Sequence, residues 1–237
     1  MACGGSHGRD GVGGKDSERA MTTWSPLHWL DRLKREWLLY HLGDERFRFM
    51  WDPPPPGEWV ALDCETTGLN VHRDEIVSIG AVRIVGDRIL TSQRLELLVR
   101  PNKRRVSPDS VRVHGLRERD VQQGMDPDEA LMALMRFIGS RPLVGYYLEF
   151  DVAMIDRAIF PRLGMGLPQR KFEVSSMYYD WKRRQLPPYV EPAQIDLRFA
   201  TMMRALELPM DAVHDALSDA VMAALAFIKL RHLLGAA

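Results

Sequence analysis

The chain has 237 residues, 46% hydrophobic and 27% charged, with 32 Lys and Arg balanced by 32 Asp and Glu. This composition supports a buried core and argues against a disordered chain. Balanced charge argues against wholesale coating of nucleic acid, yet allows a local basic patch beside an acidic cleft.

The two cysteines, Cys3 and Cys64, are too few for a disulfide framework or a four-cysteine zinc site. No apolar run approaches about 18 residues, and the first residues lack an apolar leader. A reduced, cytoplasmic protein without a membrane span is expected.

Residues 1–20 carry Gly4, Gly5, Gly8, Gly11, Gly13 and Gly14 among polar residues and read as a flexible tail, with Met21 an alternative start. Ser25-Pro26 signals a helix start, and Leu27, Leu30, Leu33, Trp37 and Tyr40 recur at helical spacing. An amphipathic helix over 26–42 follows, its face packed on the main domain or holding a partner. Pro53 to Pro56 must end any helix. The expected division is a tail 1–20, a helix and Pro-rich linker 21–57, and a main domain 58–237.

In that domain Trp59–Asp63 reads as a strand. Ile76–Val85 and Ile89–Val99 form a hairpin around Gly86-Asp87. A basic loop and a short helix run to about Arg119, and Asp126-Pro127 opens a helix to Ile138. Leu143–Tyr147 is a short strand and Phe150–Leu163 a helix. Residues 170–194 look irregular apart from a helical piece, Ser176–Arg184. Ile195–Glu207 and Asp215–Leu234 read as helices. Strands followed by helices alternating with one more strand suit a mixed α/β sheet covered on both faces.

Asp63-Cys64-Glu65 ends the first strand, behind apolar Val60-Ala61-Leu62. Alternate strand residues share a face, so Asp63 and Glu65 are presented together and Cys64 points away. Adjacent carboxylates repel unless a cation lies between them. Taken alone the pair also fits a solvated strand end. Asp151 fits an N-cap, and His214-Asp215-Ala216-Leu217-Ser218-Asp219 fits a charged helix start. Five residues on a helix turn about 500°, so His214 and Asp219 reach one cleft only if His214 lies in the turn before the helix.

Together these pieces resemble the DEDDh exonucleases, which include the proofreading epsilon subunit of bacterial DNA polymerase III. The resemblance runs from about Val60 to Leu230. It rests on Asp63-Cys64-Glu65-Thr66-Thr67-Gly68-Leu69, Glu75 to Val82, Val113-His114-Gly115-Leu116, Phe150-Asp151, and His214 with Asp219, all in family order. It implies an RNase H-like fold, a five-stranded mixed sheet flanked by helices. Asp63, Glu65, Asp151 and Asp219 would surround two Mg²⁺ or Mn²⁺ ions, with His214 as general base. Hydrolysis at a 3′ end would release nucleoside 5′-monophosphates.

In the family the residues after the first motif contact the terminal nucleotide, which makes Thr66, Gly68 and Leu69 candidates here, with His114 and Tyr147 beside them. The family's His-Asn pair before the second-motif Asp is replaced within Val144-Gly145-Tyr146-Tyr147-Leu148-Glu149, and Phe172 to Ser176 lacks the Asp often seen there. Both departures bear on how the terminal base or sugar is held.

The chemistry fits the residue types. Hard oxygen ligands suit Mg²⁺ or Mn²⁺ rather than Zn²⁺. A histidine with an ordinary pKa of about 6.5 accepts a proton near neutral pH. Arg100, Lys103, Arg104, Arg105, Arg112, Arg117 and Arg119 read either as phosphate contacts or as a solvated loop. Lys182, Arg183 and Arg184 form a second such patch. Tyr146, Tyr147, Tyr178 and Tyr179 are candidates to stack on bases. The expected partner is the 3′ end of single-stranded DNA or RNA, with a polymerase or another protein on the N-terminal helix.

Two other readings compete. His214-Asp215 is the doublet of HD-type phosphohydrolases, but that leaves Asp63 and Glu65 unexplained. A catalytically weak RNase H-like module for nucleic-acid or polymerase binding would predict loss of an acidic position, and all four are present.

Overall fold

A computed structural model describes residues 26–103, 105–187, 195–210 and 215–235. The Gly-rich tail with Cys3, Met21, Arg104 and His214 lie outside the described residues, as do the side chains of Leu27, His28 and Leu30.

One five-stranded sheet organises the chain. Its strands are β1 (Glu58–Thr66), β2 (Ile76–Val85), β3 (Arg88–Leu98), β4 (Leu143–Gly145) and β5 (Lys171–Glu173), in spatial order β3-β2-β1-β4-β5. The hairpin strands β2 and β3 are antiparallel to their neighbours, whereas β4 runs parallel to β1, and β5 to β4. This is the mixed sheet expected.

The helices are α1 (Pro26–Tyr40), α2 (Pro108–His114), α3 (Glu118–Val121), α4 (Pro127–Ile138), α5 (Leu148–Leu163), α6 (Val174–Gln185), α7 (Phe199–Ala205) and α8 (Ala216–Leu234). A 3-10 helix, Glu45–Trp51, follows α1. Among the described residues no helix is long and apolar enough to cross a membrane.

The period-two pattern of β1 splits the core into two layers. Val60, Leu62 and Cys64 join Leu134, Ile138, Leu148 and Ile155 of α4 and α5. Ala61 faces the other way, into a layer with Val174, Met202, Phe227 and Leu230 from α6, α7 and α8. Phe227 is fully buried and meets the rings of Trp59 and Phe172 edge-on, each at 5.4 Å. It thus pins α8 across β1 and β5. Local signals set the helix ends. The Asp126 carboxylate accepts the Asp128 N–H at 2.9 Å ahead of Pro127, and Asp215 accepts the Ser218 N–H at 3.0 Å.

Several elements depart from the sequence reading. β4 stops at Gly145 rather than Tyr147, because Tyr147 turns left-handed at φ 53° and α5 starts at Leu148 instead of Phe150. β5 lies in a stretch expected to be irregular; three residues are too few to show a period. Residues 195–198 are not helical, and Asp196 instead accepts hydrogen bonds from Arg198 and Thr201. On α1, Leu38 and Leu39 pack inward, while Leu33, Trp37 and Tyr40 are exposed, so these three residues of the stripe do not pack on the domain, one of the two arrangements expected.

Candidate active site

Asp63 and Glu65 emerge together on the α8 side of β1, with Cys64 buried opposite, as strand alternation requires. A bulge between Glu65 and Thr66 breaks the pairing with β2 just after them. Such irregularities re-aim side chains where pairing ends.

Asp63 sits opposite Gly80 of β2. A Cβ on Gly80 would lie 2.1 Å from the Ala216 carbonyl carbon and 2.2 Å from the Leu217 nitrogen. Only glycine therefore lets the first turn of α8 settle on the sheet there, and that turn carries Asp219. Carboxylate oxygens of Asp63, Glu65 and Asp219 consequently lie within 4.8 Å of one another.

Asp151 arrives from α5 on the other layer. The ladder between β1 and β4 ends at the pairing of Ala61 with Val144, leaving the later part of β1 without a strand on that side. Buried Asp151, 4% exposed, fills the gap, and the Cys64 N–H bonds its carboxylate. Asp151 is not an N-cap, since that position belongs to Tyr147. It lies outside the three-carboxylate cluster but near enough for its charge to act on Asp63.

Burial, reinforced by the charges of Asp151, Glu65, Asp219 and Asp215, pushes the Asp63 carboxyl well above its ordinary range. Burial, with Asp219 and Asp215, pushes Glu65 up to about 7. Burial likewise raises Asp151 and the Cys64 thiol. Among the described residues, the charges that act on Asp63 and Glu65 are those of other carboxylates, so the cluster crowds acidic groups together. Closely spaced hard oxygens in that state fit a hard divalent cation.

Beyond Glu65 the chain forms a braced loop. Thr67 accepts the Glu75 N–H at 3.0 Å and bonds Asp74 at 3.3 Å, and Asp74 accepts the Asn70 N–H at 2.8 Å. A Cβ on Gly68 would meet the Asp74 carboxylate at 2.5 Å, which explains the glycine. Thr66 is buried and its hydroxyl donates to the Gly68 carbonyl at 2.7 Å, whereas Leu69 is exposed. His114 accepts the Leu116 N–H through Nδ1 at 3.1 Å, so its Nε2–H faces the Thr66 carbonyl at 3.3 Å. Its ring straps α2 to the loop, and burial lowers its pKa.

Tyr147 is exposed, its ring tilted against that of Tyr146 at 4.6 Å, and the Tyr146 hydroxyl donates to the Leu197 carbonyl at 3.0 Å. Buried Tyr178 is a core residue rather than a stacking surface. In the basic loop, Arg112 and Arg119 pair with neighbouring Asp109 and Asp120, and Arg100 with Asp126, while Lys103, Arg105 and Arg117 remain exposed.

Sequence reasoning missed two contributors. Gly80 was legible only as part of an apolar strand. Glu173 follows Lys171-Phe172 at the start of α6, and an acid two residues before Ser175 was its only signal.

A five-stranded mixed sheet in this order, flanked by helices and with acids converging at the end of its central strand, has the RNase H-like fold. The model of the exonuclease family matches residues 60–227, and the chain belongs to that family. It is 27% identical over 163 residues to DNA polymerase III subunit epsilon of Pasteurella multocida, covering 64% of this chain and 63% of that one. It is 25% identical over 175 residues to the Aquifex aeolicus subunit epsilon, covering 73% and 80%. A PolC-type DNA polymerase III of Thermotoga maritima matches at 26% identity over 72% of this chain but 12% of its own length. The chain thus spans under two thirds of the Pasteurella and Thermotoga relatives' own length.

Among solved structures, E. coli exonuclease I with single-stranded DNA superposes with TM-score 0.62 at 15% identity, covering 75% of this chain and 40% of that one. Exonuclease X with 5′-overhanging duplex DNA gives 0.57 at 20% identity, covering 76% and 94%. These likenesses speak for the fold.

Proposed function

We propose that the chain is a divalent-metal-dependent 3′→5′ exonuclease that releases nucleoside 5′-monophosphates from DNA or RNA. The observation that carries this reading is the convergence of Asp63, Glu65 and Asp219 within 4.8 Å. Asp63, Glu65, Asp151 and Asp219 are assigned as ligands of two Mg²⁺ or Mn²⁺ ions. Bound ions would lower the pKa of a water and neutralise charge developing at phosphorus.

His214 takes a proton from the attacking water. The water oxygen bonds to phosphorus, the bond from phosphorus to O3′ breaks, and the proton ends on the O3′ of the shortened strand. Backbone of the braced loop at Thr66 and Gly68, with Leu69, His114 as its strap and the exposed Tyr147 ring, holds the terminal nucleotide. The exposed Leu33, Trp37 and Tyr40 of α1 support a docking role toward a polymerase or another protein. A cytoplasmic location goes with this reading.

The test is product analysis after incubating single-stranded oligonucleotides with the protein and Mg²⁺ or Mn²⁺. Nucleoside 5′-monophosphates, absent with EDTA, are expected; 3′-monophosphates or only internal fragments would overturn the assignment. His214→Ala should keep Mn²⁺ binding and lose most turnover, and normal turnover would remove His214 from the reaction.

A further inference from the structure

We infer that Glu173 is a positioning residue for the acidic centre: its carboxylate supplies the N-terminal cap that α5 lacks and so sets where Asp151 meets β1. This rests on the metal-centre reading above.

The first N–H groups of a helix have no partner within it and need an outside acceptor. Tyr147 holds the N-cap position of α5 but makes no side-chain cap, and its backbone is left-handed at φ 53° and ψ 31°. That conformation is costly for a bulky residue and persists only where its surroundings hold it. Glu173, across the β4–β5 pairing from Gly145, does so. Its Oε1 accepts the Tyr147 N–H at 3.2 Å and its Oε2 the Leu148 N–H at 2.8 Å.

The same carboxylate accepts the Ser175 N–H at 3.0 Å and the Ser175 hydroxyl at 2.7 Å. One side chain therefore ties the starts of α5 and α6 to each other. Asp151 lies one helical turn beyond the clamped residues and must reach the Cys64 N–H from there. Both the axial position and the rotation of α5 enter that reach, and the clamp fixes both. A Cβ on Gly145 would lie 3.1 Å from both Leu148 Cβ and the Leu62 carbonyl oxygen, so the strand end packs closely against the clamped turn.

The experiment compares wild type, Glu173→Ala and Glu173→Gln by calorimetric titration with Mn²⁺ and no substrate, at a temperature where circular dichroism shows each folded. Losing an outer support of a ligand typically costs about 10–100-fold in metal affinity. The alanine variant should show that loss. The glutamine variant, which keeps one acceptor oxygen for the Leu148 N–H, should recover most of it. With oligonucleotide, kcat should fall while KM stays near the wild-type value.

Wild-type Mn²⁺ affinity in folded Glu173→Ala would overturn the inference, as would a glutamine variant no better than alanine. If alanine does not fold, Glu173→Asp, one methylene shorter, is judged by the same two outcomes. Absence of Mn²⁺ binding by wild type itself would instead remove the metal-centre reading and this inference with it.

Discussion

Glu65 is held up to about 7 from an ordinary 4.5 by burial and by Asp219 and Asp215. A folded-state pKa above the unfolded one means the folded protein keeps the proton longer. The stability from that proton is full below 4.5 and is lost as pH rises through about 7. Metal-free Glu65→Gln should therefore melt above metal-free wild type on the alkaline side of that window and close to it near the acid end. Calorimetry in EDTA checks this, and a variant that is less stable across the whole range would contradict the electrostatic account. Adding Mn²⁺ should reverse the order, because the neutral amide is the poorer ligand. At this scale the arrangement along β1 was legible: strand alternation alone placed Asp63 and Glu65 together and Cys64 behind them. Asp151 was less so, since a single acid in a helix gives no sign that it reaches a neighbouring strand.

Elements bring these residues together, and glycine decides how closely. Gly80→Ala would set a Cβ 2.1 Å from the backbone of α8, so the helix start must lift and carry Asp219 away. Overpacking of this kind costs about 1–3 kcal/mol. The expected result is a lower melting temperature with a raised Mn²⁺ requirement; unchanged metal binding would show that α8 does not set the cluster. Phe227→Ala, which removes the side chain pinning α8, should cost about 3–5 kcal/mol in denaturant unfolding. A loss near zero would contradict the packing described. Long periodic elements such as β2 and α4 were readable because many residues repeat one pattern. β5 was not, because its pairing with β4 depends on a strand distant in sequence. On α1 the sequence left open which way the stripe faces, and Leu33, Trp37 and Tyr40 stay exposed because Leu38 and Leu39, offset from them on the helix, are the residues that found a core.

At the scale of the whole molecule, zero formal charge fits an acidic centre in a surface that also carries exposed Lys103, Arg105 and Arg117. If these residues meet phosphates, oligonucleotide affinity should fall steeply with salt, and Arg117→Ala should shallow that dependence by roughly one unit of log–log slope. An unchanged slope would leave Arg117 a solvated side chain. The family was visible in the sequence because its motifs mark the strand end and helix starts that converge on the sheet. Glu173 and Gly80 were hidden because each acts through a backbone that only the folded arrangement brings near.

The most direct measurement is the degradation of single-stranded DNA and RNA, each labelled at the 5′ end, with Mg²⁺ or Mn²⁺, beside Asp63→Ala. A ladder shortening from the 3′ end, abolished by EDTA and by the substitution, is the predicted result. Intact substrate from folded wild-type protein with either metal, or a ladder that survives Asp63→Ala, would contradict the account.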